Sequence, residues 1–429
     1  MGGRTVFLDR KSLWPQLQRW EEQAADRDGP FRLRFGTLFV ADADAARDVL
    51  VDSAGDYLSQ SGFFRLGQES LSQAVRGEAS RELLRVLARH DLASSFDLDS
   101  ALGEVSDSRG RLRHQRWGVE LVRRYFAPVI AHRRHTEINA LVDAYVTSSV
   151  VADDIVGHVL RRSHRTVPAV RAGLTEQIGR LPARESGAQD LVDLVLGLPG
   201  ELSPADRAQL LQRLVLSTVG FTGVTLEWVV MLGIRHGYDT PAVRQEQVHR
   251  LVKEALRLYP TAWRLIRVAA ADHDIVGARV REGEHVLIGT HAIHRSAAVW
   301  DRPLDFRPSR WEQPTDNQRY SYLPFGKGDG MCPANGFAVK ALEHLGHLIL
   351  HGYRGRVRLR TRKPHVRTLL APPAGWTRLT PATGWRVGRR LRRPGLLRLS
   401  STGVLSCLNA TPSSTACTIL VWPPGSAGR

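Results

Sequence analysis

The chain has 429 residues, 42% of them hydrophobic and 24% charged, so it can bury a large core as one big domain or as two to three ordinary ones. Its net charge of +17 is uneven: Glu343 is the last acidic residue and fourteen arginines and Lys363 follow it, which, with no groove-reading motif in the chain, argues against a nucleic-acid binder. Three cysteines (Cys332, Cys407 and Cys417) and no C-x-x-C exclude a four-cysteine zinc site and give no sign of an oxidising compartment.

Arg4, Asp9, Arg10 and Lys11 break up any signal-peptide pattern at the start. The longest apolar stretches, such as residues 226–234 with Glu227 inside it, are too short to span a bilayer, so a cytoplasmic protein off the membrane is expected. Trp14, Leu17 and Trp20 fall at helical spacing, and Phe31 to Phe35 alternates like a half-buried strand that Thr37 to Asp42 continues. Asp42 to Asp52 reads as a helix. From about 80 to 260 the pattern is mostly helical, with blocks near 81–90, 116–150, 154–163, 186–197, 203–233 and 241–259. Pro168, Pro182, Pro199, Pro204 and Pro241 punctuate them. After Pro260 come short strands and turns to about 322, then a helix after Cys332 that runs to about His351, then an exposed strand in which arginine alternates with Val or Leu from Arg354 to Arg360. The fold class is mainly α with small β-sheets (α+β).

Cys332 sits in Phe325-Gly326-Lys327-Gly328-Asp329-Gly330-Met331-Cys332-Pro333-Ala334, just before that last helix. Glycines let the loop backbone approach something large and flat. Pro333 suits the first helical position, and the helix start would then favour a thiolate at Cys332. A thiolate held at a loop-to-helix junction can serve as an axial ligand to haem iron.

Phe325-Gly326-x-Gly328-x-x-x-Cys332-x-Ala334 resembles the cysteine loop of the cytochrome P450 family. Gly330 departs from it, standing where the family usually has Arg or His. Upstream, Glu254-x-x-Arg257, Arg267, His294-Arg295 and Phe306-x-Pro308-x-Arg310 occur in the family's order. Glu-x-x-Arg spacing also occurs at Glu82/Arg85 and Glu120/Arg123, which read as solvated helical pairs. The likeness is strongest over 245–350 and extends over about 30–380. It implies a cytochrome P450-like catalytic domain over 1–380, followed by a basic, Ser/Thr/Pro-rich tail over 381–429 read as disordered.

The resemblance implies haem b (iron protoporphyrin IX), with Cys332 as the metal ligand and Phe325, Gly326, Gly328 and Ala334 shaping its cradle. Glu254, Arg257 and Arg310 would form a structural fork behind it, with His294 structural rather than a ligand. Arg267 matches the family's propionate-binding arginine, and His114 and Trp117 lie where an early helix usually contributes. On the oxygen side the family places an acid or amide and then Thr or Ser after a kink. Here, if Gly220 is the kink, Thr222 takes the acid position and Gly223 the alcohol position; another register makes Thr222 or Thr225 the alcohol. Neither puts an acid directly before a Thr, and Glu227 reads as a surface residue one turn too far along.

The implied activity is insertion of one oxygen atom from O2 into a small, secondary-metabolite-like organic substrate by a monomeric enzyme. Electrons would come from ferredoxin and ferredoxin reductase using NAD(P)H, with Lys327, Arg123 and Arg124 offering ferredoxin a basic face. The alternatives are a peroxide-driven or oxidative-coupling haem enzyme and a haem-binding, non-catalytic scaffold.

Overall fold

The structure is a computed structural model. It describes residues 12–382 except 28, 34–35, 59–64, 67–68, 71, 133–134, 148–159, 183–186, 199–201 and 367–368. The chain divides into Met1–Gly384 and Trp385–Arg429. The second unit, with Cys407, Cys417 and nearly all of the tail, lies outside the described residues.

Helices dominate. The main ones are α1 (Trp14–Ala25), α2 (Gln73–Arg89), α3 (Leu98–Val105), α4 (Trp117–Tyr125), α5 (Thr136–Tyr145), α6 (Leu160–Gly179) and α7 (Leu191–Gly197). They are followed by α8 (Pro204–Arg235), α9 (Gln245–Leu258) and α10 (Asn335–Gly352). A four-stranded sheet takes the order β1 (Phe31–Arg32), β2 (Leu38–Val40), β5 (His285–Ile288), β4 (Leu265–Val268). The β2–β5 pair is parallel and the other two pairs are antiparallel. A three-stranded sheet joins β6 (Tyr353–Leu359), β7 (Gly375–Pro381) and β3 (Leu112–Arg113). On β6, Arg354, Arg356 and Arg358 are exposed while Val357 and Leu359 turn towards the core, the alternation expected of a half-buried strand.

The expected helix over 116–150 is broken into α4, a single turn at Ala127–Ile130 and α5, because Pro128 has no N–H to continue the first helix. Pro168, read as a breaker, lies inside α6. The early part of the block expected at 154–163 lies outside the described residues.

α8 begins with a capping box: the Ser203 side chain accepts the Asp206 N–H and Asp206 returns a bond to the Ser203 N–H, with Pro204 in the first turn. The helix continues for 32 residues through a π-helical turn at Leu216–Phe221. Contrary to the sequence reading, its length and composition would let it cross a bilayer, but 78% of its most apolar stretch is buried inside the fold. It packs against α4, α9 and α10. At the α4 crossing two glycines meet. A Cβ on Gly118 would collide with the Gly223 carbonyl, and a Cβ on Gly223 with the Val119 backbone. That crossing fixes α4 close to α8.

Candidate active site around Cys332

Cys332 is held by its neighbours' backbone. Its N–H donates to Phe325 O at 2.9 Å, closing the loop, and its carbonyl accepts from Asn335 N at 3.3 Å and Asn335 Nδ2 at 2.8 Å. Gly326 and Gly328 take φ of 75° and 64°, where L side chains are strained, and a Cβ at Gly328 would collide with the Leu50 carbonyl. The helix starts at Asn335 with Ala334 as its cap, so Pro333 precedes the first turn instead of opening it. The thiol is correspondingly less favoured as an anion than the sequence implied: burial pushes its pKa up, against the opposing pull of the Ala334 N–H. Cys332 is a free, half-buried thiol. A cationic metal bound to it would supply the missing stabilisation of the thiolate.

Behind the loop, Glu254 and Arg257 are both fully buried. Arg257 Nε and Nη2 donate to the two Glu254 oxygens at 2.9 Å each, a bidentate pair. Arg310 Nε adds a third bond at 3.1 Å, the Arg307 N–H a fourth at 2.9 Å and Trp311 Nε1 a fifth at 3.0 Å. Arg257 Nη1 reaches the carbonyls of His294 at 2.7 Å and Pro303 at 2.8 Å. The fork named from sequence is therefore brought together.

His294 connects this fork to the cysteine loop. Nδ1 lies 3.2 Å from Arg257 O and donates to it, and Nε2 accepts the Leu323 N–H at 2.7 Å, two residues before Phe325. Accepting at Nε2 while donating from Nδ1 requires the neutral ring with its proton on Nδ1. Burial first, and then the Arg257 charge, push its pKa down to about 3. The sequence reading gave His294 a structural role; the two bonds say which.

Arg267 lies on β4, opposite Val286. A side chain at Gly330 would collide with its guanidinium. Gly330 thus leaves room for Arg267 where the family usually carries a cation on the loop itself. The guanidinium has no carboxylate partner among the described residues, and burial lowers its pKa. A cation in that position calls for an anion. Trp117 Nε1 is likewise buried with no acceptor among the described residues. His114 does not fit the role expected of it: Nδ1 is engaged by Pro373 O at 3.0 Å and Nε2 by Thr377 Oγ1 at 2.9 Å, which ties it to β7. The donor set fits haem: one sulfur ligand on a glycine-relieved loop, one guanidinium beside it that bonds only the Ile266 carbonyl among the described residues, and half-buried Phe325, Ala334 and Phe337.

On α8, Gly220 lies within the π-helical turn. Thr225 Oγ1 donates to Phe221 O at 2.8 Å and shares a bond with Thr261 Oγ1 at 2.7 Å, so its hydroxyl is engaged. Thr222 is buried, and its hydroxyl has no hydrogen-bond partner among the described residues. The Gly223–Gly118 crossing leaves no space for an alcohol at position 223. Glu227 is a buried residue, not a surface one. It accepts the backbone N–H groups of Gln115, Arg116 and Gly118 at 2.5, 2.9 and 2.9 Å and so caps α4. The signal that could have revealed it is a lone acid inside an apolar helical run.

The basic face expected at Lys327, Arg123 and Arg124 is not formed. Arg123 is buried, ion-paired with Asp143 at 3.0 Å and hydrogen-bonded to Asn139, Arg124 bonds Glu104 at 2.7 Å, and Lys327 donates to Tyr320 O over the Tyr320 ring. Of the two spare Glu-x-x-Arg pairs, Glu82–Arg85 forms an ion pair, whereas Glu120 pairs with Arg116.

Residues 247–376 match the family model described as Cytochrome P450. The putative cytochrome P450 137 of Mycobacterium tuberculosis is 32% identical over 182 residues, 40% of this chain and 38% of that protein. Tabersonine/lochnericine 19-hydroxylase of Catharanthus roseus is 34% identical over 119 residues, 27% of this chain and 24% of that protein. The matched part thus spans well under half the length of these curated relatives. The fold match is wider. A retinoic acid-bound cyanobacterial CYP120A1 superposes with a TM-score of 0.69 at 16% identity, covering 85% of this chain and 94% of the other. A mutant of P450 EryK in complex with erythromycin B gives 0.63 at 17%, covering 87% and 99%. Sequence over residues 247–376 matches the cytochrome P450 family model, and the fold over most of the chain is that of cytochrome P450 structures.

Proposed function

We propose that this protein is a haem-thiolate monooxygenase that inserts one oxygen atom of O2 into a small organic substrate, with electrons delivered by a ferredoxin system. The observation that carries the reading is the cysteine loop, closed on itself by the Cys332–Phe325 bond and tied through His294 to a fully buried Glu254–Arg257 pair. Haem bound at Cys332 would supply the oxygen-activating chemistry, with the thiolate pushing electron density towards iron. The residues of this chain do the rest. Cys332 is the ligand, Arg267 is the anion partner beside it, and the Glu254 fork and His294 keep the loop rigid. Hydroxylase and monooxygenase relatives such as protopine 6-monooxygenase of Eschscholzia californica support this class of reaction.

Proton handling is unusual. Glu227 is committed to α4 and Thr225 to Thr261, so the Thr222 hydroxyl is the group left to hold an ordered water or a substrate hydroxyl and pass on a proton. This raises the peroxide-driven reading as the rival, since peroxide brings both of its protons. The test uses compounds preselected because they shift the haem spectrum, turned over under isotopically labelled dioxygen with ferredoxin, reductase and NAD(P)H, and separately with hydrogen peroxide. One labelled oxygen per product, dependent on the reductase, supports the proposal. Product only in the peroxide arm, with none of the label from dioxygen, rejects it for the rival.

A further inference from the structure

A cavity of about 540 Å³ lies outside the cysteine loop, none of whose residues line it. Its inner wall is the C-terminal end of α8 and the end of α9, where Trp228 and Tyr259 stack with ring centroids 3.7 Å apart and planes within 3°. Its rim carries four guanidinium groups, from Arg235, Arg302, Arg307 and Arg362. Two of them are neutralised locally: Arg302 pairs with Asp305, and Arg307 Nη1 lies 2.5 Å from Asp301 Oδ2. Arg235 and Arg362 have no carboxylate or hydrogen-bond partner among the described residues. The mouth therefore holds two uncompensated positive charges on a lining that is more polar than apolar, with Trp228, Leu258 and Tyr259 among its apolar residues. Leu304 at the same mouth is 67% exposed, a large apolar side chain left facing water.

This site is separate from the one around Cys332. None of its lining residues comes from the cysteine loop or from β4. At a rise of 1.5 Å per residue, Met231 to Arg235 lie roughly 13 to 20 Å along α8 from Thr222. Its volume falls in the range of small-molecule pockets, about 300 to 1,000 Å³.

We propose that this cavity binds a small organic anion with a flat apolar body, its acid group held between Arg235 and Arg362 and its ring laid against the Trp228–Tyr259 wall. Guanidinium groups recognise carboxylates, sulfonates and phosphates through paired N–H donors, and an apolar body replaces water on the aromatic wall. A neutral molecule of the same shape leaves the charge at the mouth unanswered, so the site discriminates by charge. The ligand would also touch the buttress, because Arg257 Nη2 bonds the carbonyl of Asp305, another lining residue, at 3.2 Å.

The test is isothermal titration of the haem-loaded protein at low salt with 2-naphthoate and with 2-naphthamide, which differ in charge but hardly in shape. The naphthoate is expected to bind about ten-fold tighter, and the Arg235→Gln/Arg362→Gln double variant to bind both alike. Both substitutions lie on exposed side chains, and an unchanged haem spectrum checks that the variant is folded. Saturating imidazole, which occupies the haem side, should leave the naphthoate titration unchanged. Equal binding of the two compounds, no binding of either, a preference that survives the double substitution, or displacement of naphthoate by imidazole would each overturn the proposal.

Discussion

Acid should destabilise this protein through His294, and the size of the effect follows from two hydrogen bonds. The ring is fully buried, donates to Arg257 O and accepts from Leu323 N–H, and its pKa is pushed down to about 3. The unfolded chain binds a proton at this histidine near pH 6.5, whereas the folded protein does not until about pH 3. A depressed folded-state pKa gives stability that is intact above pH 6.5 and is lost progressively as pH falls towards 3. At 1.36 kcal/mol per unit, moving from pH 7 to pH 5 removes about 2 kcal/mol through this residue alone. Replacing it, as in His294→Leu, strands a buried carbonyl and a buried N–H, at about 1 to 3 kcal/mol each, so the variant should start about 2 to 6 kcal/mol less stable at pH 7. The variant lacks the titrating ring, so its deficit should shrink by about 2 kcal/mol at pH 5. Urea unfolding of both proteins at pH 7 and pH 5, followed by circular dichroism, measures the two gaps. Other buried histidines with lowered pKa, such as His114 and His291, act on both proteins alike and cancel. Parallel pH dependences would refute the assignment of a neutral, doubly bonded His294.

Glu254→Ala should leave two guanidinium groups without their anion in the interior, at a cost of about 3 to 5 kcal/mol, and haem content on purification should fall with it. Glu227→Ala removes the acceptor of three backbone N–H groups at the start of α4; a loss of about 2 to 4 kcal/mol in chemical denaturation is expected, and a change below 1 kcal/mol would mean that the cap is not formed. Gly328→Ala adds a methyl group against the Leu50 carbonyl at a left-handed position, so it should lower haem retention while Gly336→Ala, with open space around it, does not. Thr222→Ala should slow product formation per electron consumed and raise uncoupled reduction of dioxygen, whereas Thr225→Ala should act mainly on stability through Thr261; the reverse pattern would exchange their roles.

The cysteine loop and the buttress were legible because their chemistry is carried by residue types at short spacing. Phe325, Gly326, Gly328 and Cys332 lie within eight positions, and Glu254 with Arg257 within one helical turn. Arg310 and Arg267 were placed by order along the chain, which the family preserves. What escaped was set by contacts between distant segments. Gly118 and Gly223 are separated by more than a hundred residues, and each looks like an ordinary helical glycine until the helices cross. Glu227 reads as a surface acid unless the N-terminus of α4 is known to sit against it. His114 had the right residue type and nearly the right place, but Pro373 and Thr377, the latter on β7, take both of its ring nitrogens. Arg123 was expected on a basic face because periodicity gives no account of which side of α4 meets α5; Asp143 on α5 takes its charge.

A carbon-monoxide difference spectrum of the reduced, haem-loaded protein and of its Cys332→Ala variant tests the central claim most directly. The account predicts the thiolate-ligated band in the parent protein and its complete loss in the variant. A spectrum of histidine- or water-ligated haem in the parent, or a thiolate band that persists without Cys332, would contradict it.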